Sequence, residues 1–274
     1  MVSVKRIIFN SPFWLLYRAS AAAVRFVLDE KNNQVSADNR QILTNNKSLI
    51  QQANRAYLNT AKQVYSAESR LINQAFVMEV RYPGLITGVG INHEAKIEGE
   101  FKLGIHFDYT TGLPIIYGSS VKGVLRSAFN EDNLLDILPE LVPENKTALD
   151  NIKKKLQNCS LKDLANEFFG RDDNKPEPRS IYQRDIFFDA LIDDLRGNSM
   201  LASDSITPHG KDPLKNPVPL TFVRIASGCK IKFRFRLVDG TLTVNEKKVL
   251  FQSILIAFGI GAKTNVGYGR LKKN

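Results

Sequence analysis

Apolar and polar positions alternate with different periods along this chain, and the changes of period mark its elements. From residue 44 to 75, Ile50, Ala53, Tyr57, Ala61, Val64, Ala67, Leu71 and Ala75 recur at steps of three and four. That spacing predicts a long amphipathic helix with a thin, alanine-rich stripe. A stripe this thin packs lightly on its own domain or offers a face to a partner. The preceding polar stretch, 29–43, reads as a loop. Residues 76–80 start a β-like stretch, and a glycine-punctuated loop follows over 82–92.

Between 97 and 107 the period falls to two, with apolar residues or glycine at every odd position. This predicts a half-buried strand. A turn at Gly112-Leu113-Pro114 leads to Ser119–Arg126, read as the start of a helix over 119–130 with serine as N-cap. Residues 131–168 contain helical pieces separated by Pro139 and Pro143. They end at Phe168-Phe169-Gly170, a helix C-terminus with a glycine stop. The polar run 171–180 reads as a linker, 184–191 as a short strand, and the proline-rich 203–219 as a long irregular loop. Strand 229–238 has the sharpest pattern: Lys230, Lys232, Arg234 and Arg236 on one face, Cys229, Ile231, Phe233, Phe235 and Leu237 on the other. A helix over 246–258 and a last strand near 265–272 complete the chain. The core order, strand 97–107, helix, two strands, helix, strand, is α+β and ferredoxin-like (βαββαβ). It predicts an N-terminal helical extension over 1–80 and a ferredoxin-like domain over 81–274, with a helical insertion at about 131–168.

Composition narrows the function classes. Two cysteines and three histidines among 274 residues supply neither a disulfide framework nor a metal-ligand spacing. We therefore expect no cofactor and no metal. The best apolar stretch, 13–28, is interrupted by Arg18 and Arg25 and is too short to span a bilayer. The expectation is a soluble, cytoplasmic protein. The formal net charge is +10, and its distribution is uneven. Residues 1–80 carry 10 basic and 5 acidic side chains, 81–200 carry 15 and 19, and 201–274 carry 13 and 4. A polyanionic partner would therefore meet the C-terminal quarter first.

Four features bear on chemistry. Gly259–Gly269 (GIGAKTNVGYG) combines four glycines with Lys263 and Thr264, a composition suited to aiming backbone N–H groups at a phosphate. It is not a nucleotide-binding P-loop, because Ala262 separates Gly261 from Lys263 and only five residues follow, too few for a helix. A glycine C-cap with a tight turn accounts for Gly259 or Gly261 but not for all four glycines. Gly118–Gly123 (GSSVKG) places serines at a helix start, with Lys122 and Arg126 four apart, which suits an anion; an ordinary N-cap with solvated charges explains it equally. The cations of strand 229–238 lie about 6–7 Å apart and match a single-stranded phosphate backbone. They match equally well as cross-strand partners of Glu98 and Glu100. The loop 203–219 carries Asp204, His209 and Lys211, without a second histidine or a nucleophile at a readable spacing.

Taken together, GLITGVGINHEA (84–95), TGLPIIYGSSVKGVLRSAF (111–129), FFG (168–170), IFFDA (186–190), SDSITPHG with NPVPLTFVRIASG (203–228) and FGIGAKTNVGYGRL (258–271) resemble the RAMP superfamily of CRISPR effector subunits. They are most similar to the sixth-subunit family of the Cmr (type III-B) complex. One departure is Tyr117, where the family has proline before GSS. The resemblance implies a ferredoxin-like (RRM-like) RAMP fold and a non-catalytic backbone subunit near the 3′ end of the guide RNA in antiviral defence. The implied partners are guide RNA, target RNA, other RAMP subunits and the small helical subunit. By the same resemblance, Gly261, Lys263, Thr264, Asn265, Gly267 and Gly269 form an RNA-contacting loop, and Ser119, Ser120, Lys122 and Arg126 line the same groove. The resemblance also implies that the loop with His209 and Lys211 would occupy the place of a thumb, while Lys230, Lys232, Arg234 and Arg236 are candidate phosphate contacts by their spacing. Two alternatives stand beside it. One is a metal-independent RAMP endoribonuclease that processes guide RNA, using His93, His106 or His209. The other is an assembly protein that docks through helix 44–75.

Overall fold

The computed structural model describes residues 27–29, 34–36, 48, 50–54, 71–88, 102–108, 112–170, 184–194, 200–206 and 220–274. In chain order these form β1 (Val27–Asp29), β2 (Gln34–Ser36), β3 (Gln74–Val80), β4 (Gly84–Leu85), β5 (Lys102–Leu103), β6 (His106–Phe107) and β7 (Pro114–Ile116). Helices α1 (Gly118–Ala128), α2 (Leu134–Leu141), α3 (Lys146–Lys155) and α4 (Leu161–Phe169) follow. The remainder is β8 (Ile186–Phe187), β9 (Ala190–Asp194), β10 (Leu201–Ile206), β11 (Leu220–Ala226), β12 (Lys230–Arg236), α5 (Val244–Phe258) and β13 (Leu271–Lys273). The chain divides into two units, one of residues 1–67, 86–115 and 195–229, the other of 68–85, 116–194 and 230–274.

The second unit carries the ferredoxin-like core. β12 pairs antiparallel with β3 on one side and with β9 and β8 on the other, and β13 pairs antiparallel with β3. Read as β3-α1-β9-β12-α5-β13, the chain gives the spatial strand order 4-1-3-2 of a ferredoxin-like sheet. The fold class is as expected, but its first strand is β3, not 97–107. β3 thus lies before residue 81, where the sequence pattern starts the domain. Of 97–107, the described part is split between β5 and β6, both in the first unit; Glu98 and Glu100 lie outside the described residues. An apolar-or-glycine alternation identified a strand, but Gly104 breaks it. A Cβ at Gly104 would stand 2.6 Å from the Val223 carbonyl oxygen, so the chain passes there against the backbone of β11.

One sheet face is apolar by strict alternation. Met78 and Val80 of β3 and Ile231, Phe233 and Phe235 of β12 are buried beside Phe76. Phe76 stacks on Phe233 and Phe235 at 5.5 and 5.3 Å. Phe235 continues to Phe251 of α5 and Phe187 of β8, and Phe251 to Phe168 and Phe169 of α4. The FFG and IFFDA motifs therefore supply the aromatic core between sheet and helices. α5 begins in a capping box: Thr243 Oγ1 accepts from Glu246 N–H, and Glu246 Oε2 accepts from Thr243 N–H at 2.7 Å. The insertion docks on α5 partly through Asn145 Nδ2, which donates to Ser253 Oγ at 2.9 Å. Pro139 lies inside α2 instead of ending it, while Gly170 ends α4 with φ 74°, as its position after FF predicted.

A buried charge cluster ties α4, β12 and α5 together. Lys247 Nζ reaches Asp185 Oδ2 at 3.0 Å, the Val238 carbonyl at 2.7 Å and Glu167 Oε1 at 3.8 Å. It also sits 4.6 Å from the centre of the Phe168 ring. The side chains of Lys247 and Asp185 are 3% and 0% exposed. Burial pushes the Asp185 carboxyl up from its ordinary range; the Lys247 ammonium and the Val238 N–H oppose that shift.

In the first unit, β10 and β11 pair antiparallel over their full length and β5 adds parallel to β11. Residues 203–206, expected in the irregular loop, are therefore strand, with Asp204 on Arg224 at 2.9 Å. β1 and β2 form an antiparallel pair, and β2 lies within the stretch 29–43 read as loop. Residues 50–54 are helical, and Ile50 and Ala53 of the apolar stripe are buried. Asn54 Oδ1 accepts from the N–H groups of Met200 and Leu201, and its amide donates to the Leu201 carbonyl. The stripe thus packs on its own unit at this point. Its predicted end is wrong: 74 and 75 are strand, and most of 44–70 lies outside the described residues.

Candidate nucleic-acid interface

The glycine-rich segment is a loop closed at its neck by backbone pairing. Ile260 N–H donates to the Gly269 carbonyl at 3.0 Å, and Gly269 N–H donates to the Gly84 carbonyl at 2.8 Å. A Cβ on Gly269 would stand 1.9 Å from the Ile260 carbonyl oxygen, and one on Gly259 2.8 Å from that of Gly269. Buried Ile260 and Tyr268 anchor the neck. Gly261 and Gly267 have φ of 94° and 100°. Backbone conformation thus accounts for all four glycines, which the sequence pattern assigned in part to a ligand.

The body of the loop points outward. Lys263 adopts φ 59°. Its carbonyl accepts from Val266 and Tyr268 N–H groups, at 3.2 and 3.3 Å, across the short 3-10 turn Thr264–Val266. Gly261, Lys263, Asn265 and Val266 are exposed; Thr264 is half-buried. The N–H groups of residues 266–269 donate inward, so an anion could meet the backbone only through 261–265.

The GSSVKG helix starts one residue earlier than its serines suggested. Tyr117 is the N-cap, without a side-chain cap, and Gly118 N–H donates to Asp189 Oδ1 at 2.7 Å. A Cβ on Gly118 would stand 2.2 Å from the Phe187 carbonyl oxygen, so glycine lets the helix start against β8. A carboxylate therefore already occupies the electropositive helix end. Ser119 is exposed and Ser120 half-buried.

Lys122 turns the other way. Its Nζ donates to the Phe169 carbonyl, at the last residue of α4, at 2.8 Å. Burial and then the guanidiniums of Arg184 and Arg126 hold its ammonium below the usual lysine range. The fold thus collects three cations, Lys122, Arg126 and Arg184. Among the described residues none of the three forms an ion pair. Arg184 was not singled out in the sequence, since only the tertiary fold brings position 184 to α1. A polar cavity of about 680 Å³ adjoins this cluster, lined by Arg126, Lys162, Asn130 and Asn166 among others.

The loop neck and the cluster meet the sheet towards opposite ends of β12. The cluster stands near β8, where Phe187 pairs with Phe235 of β12. The loop neck stands where β3 ends, at the Lys230 end of β12. Five residues of strand separate these points, about 16 Å.

The basic strand face is half-buried. Lys230 stands opposite Glu79 of β3 and Asp194 of β9, and Lys272 reaches Glu79 at 3.0 Å. Arg234 donates through Nε and Nη2 to the Asp189 carbonyl at 3.1 and 2.8 Å. The acidic neighbours come from β3 and β9 instead of the expected 97–107. Lys232 and Arg236 face Val77 and Ile186 in register.

Of the histidines, only His106 is described. It is half-buried, its ring stands against Gly88, and burial lowers its pKa. His93, His209 and Lys211 lie outside the described residues. Among the described residues no group of three or more His, Cys, Asp or Glu is placed to hold a metal, and no helix is long and apolar enough to cross a membrane.

An α+β sheet of order 4-1-3-2, with a glycine loop closing onto its first strand, defines a ferredoxin-like protein. The model of the RAMP superfamily matches residues 77–272, and the chain belongs to that family. Solved structures similar to it include a chain of the type III-B Cmr-beta complex bound to cognate target RNA, at 20% identity and TM-score 0.48. That match covers 90% of this chain and 77% of the other. Cmr6 from Pyrococcus furiosus matches at 18% identity and TM-score 0.42, covering 73% and 97%. A chain of a type IV-B CRISPR complex matches at 14% and 0.40, covering 73% and 89%. No curated protein matches.

Proposed function

We propose that this chain is a non-catalytic, RNA-binding backbone subunit of a type III-B CRISPR effector complex. It would contact guide RNA near its 3′ end, beside other RAMP subunits and the small helical subunit. The observation that carries this reading is the gathering of Lys122, Arg126 and Arg184 around α1. Like charges held together cost the fold free energy, and a polyanion offsets that cost. The exposed Lys263 loop supplies a second cationic contact about 16 Å along the sheet, so a strand would be bound by position along its backbone more than by base.

Filter binding with single-stranded repeat RNA tests the reading. Arg126→Ala and Arg184→Ala each weaken binding while the melting curve stays in place. Unchanged affinity for both variants at physiological salt overturns the cluster as an RNA contact. Incubation of the same RNA with the protein in EDTA leaves it intact. Specific cleavage that disappears in His106→Ala would overturn the non-catalytic assignment.

A further inference from the structure

The two most exposed large apolar side chains among the described residues are Tyr82, at 84%, and Val266, at 60%. They stand on two turns that the backbone ties together. Arg81 N–H donates to the Arg270 carbonyl at 2.9 Å, and Gly269 N–H donates to the Gly84 carbonyl at 2.8 Å, one bond on each side of Tyr82-Pro83. Pro83 Cδ lies 3.5 Å from where a Cβ on Gly267 would be. The Tyr82 turn is therefore fixed against the glycine-rich loop at Gly267, the residue that follows Val266.

The charged residues within these two turns are cations. Arg81, beside Tyr82, and Lys263, three residues before Val266, are both exposed. The closest acidic residue in sequence, Glu79, is only 12% exposed and engages Lys272. A solvent-facing phenol ring on a backbone-fixed turn, with cations in the same two turns, has the composition of a single-strand stacking platform. The turn that carries the ring is already pinned, so contact there orders no further backbone.

We infer that Tyr82 is a base-stacking residue: a nucleobase of a bound single strand lies on its ring, with Arg81 and Lys263 on the adjoining phosphates. The inference rests on the RNA-binding reading above and deepens it by adding a non-ionic contact that neither charge nor motif had marked.

The test is fluorescence anisotropy of the full chain with 5′-labelled single-stranded RNA. Tyr82→Ala, Tyr82→Phe, Tyr82→Trp and Lys263→Ala are compared across a salt series. Tyr82→Ala weakens binding about 5- to 150-fold, the range of one lost stacked base, and leaves the salt slope unchanged. Tyr82→Phe and Tyr82→Trp bind like the wild type. Lys263→Ala lowers the slope by about 0.7. The side chain is almost wholly exposed, so melting temperatures stay level and serve as the folding control. Wild-type affinity in Tyr82→Ala together with loss in Lys263→Ala overturns the stacking inference and leaves the RNA-binding reading standing. Equal loss in Tyr82→Phe overturns it as well, by assigning the contact to the hydroxyl. Failure of the wild-type chain to bind RNA overturns both.

Discussion

Replacing Lys247 with alanine removes the ammonium from a closed site. Its Nζ now satisfies Asp185 through both oxygens, at 3.2 and 3.0 Å, and the Val238 carbonyl at 2.7 Å. After the change, the Asp185 carboxylate keeps only the Val238 N–H at 2.9 Å, with its side chain fully buried. Breaking a buried pair from one side costs about 3–5 kcal/mol. For a chain of this size that corresponds to a melting temperature lower by roughly 6–20 °C. The loss also depends on pH in a definite direction. Burial already raises the Asp185 pKa, so the folded state holds that proton more tightly than the unfolded one. Its favourable contribution is present below the ordinary aspartate range and disappears as pH rises through the raised value. Without the ammonium the rise is larger, so Lys247→Ala is hurt most near neutral pH and less in acid. Urea unfolding at pH 7 and pH 5 reads both effects. The paired change Lys247→Met with Asp185→Leu, which leaves no charge unpaired, recovers most of the loss. A Lys247→Ala chain that unfolds within about 1 kcal/mol of the wild type, or a double variant no more stable than the single one, would refute this cost.

Other changes probe separate parts. Gly269→Ala puts a Cβ 1.9 Å from a carbonyl oxygen at φ 70°, so it destabilises the loop neck and lowers the thermal midpoint. Gly123→Ala is the opposite case: a Cβ there meets nothing within 4 Å, and the helix gains about 0.8–1 kcal/mol by chemical denaturation. Thr243→Ala removes the capping box of α5 and costs about 1 kcal/mol. His106 is held below its usual pKa by burial. Stability gained from its neutral form is present above the ordinary histidine value and lost as pH falls below it. A thermal midpoint followed from pH 7.5 to 5 therefore drops in the wild type and drops less in His106→Gln.

The elements with a local signature were readable in advance. β12 and α5 follow their periodicity, and Gly170 stops α4 as its neighbours indicate. The identity of the first sheet strand was not readable. QAFVMEV buries Phe76, Met78 and Val80 at alternate positions, but a helical stripe counted through Ala75 runs into it. Residues 97–107 had the cleaner alternation and belong to the other unit. The candidate site divides the same way. The exposure of Lys263 was legible because a cation in a short glycine-rich loop has few places to go. The glycines around it serve the backbone, which only the close approach of residues 260 and 269 reveals. Lys122 looked like a surface cation and instead meets the end of α4. Arg184, Tyr82 and Lys247 carried no local signal, because their roles depend on what the tertiary fold brings beside them.

On the proposed function, cations on α1, before β8 and on the glycine-rich loop hold a single strand by its phosphates. Equilibrium binding of the full chain to labelled single-stranded RNA, titrated from low to high salt, measures this directly. The log–log slope falls by about 0.7 for each of Arg126→Ala, Arg184→Ala and Lys263→Ala, with the three losses adding in the triple variant. Binding that ignores salt, or a triple variant with the wild-type slope, would contradict it.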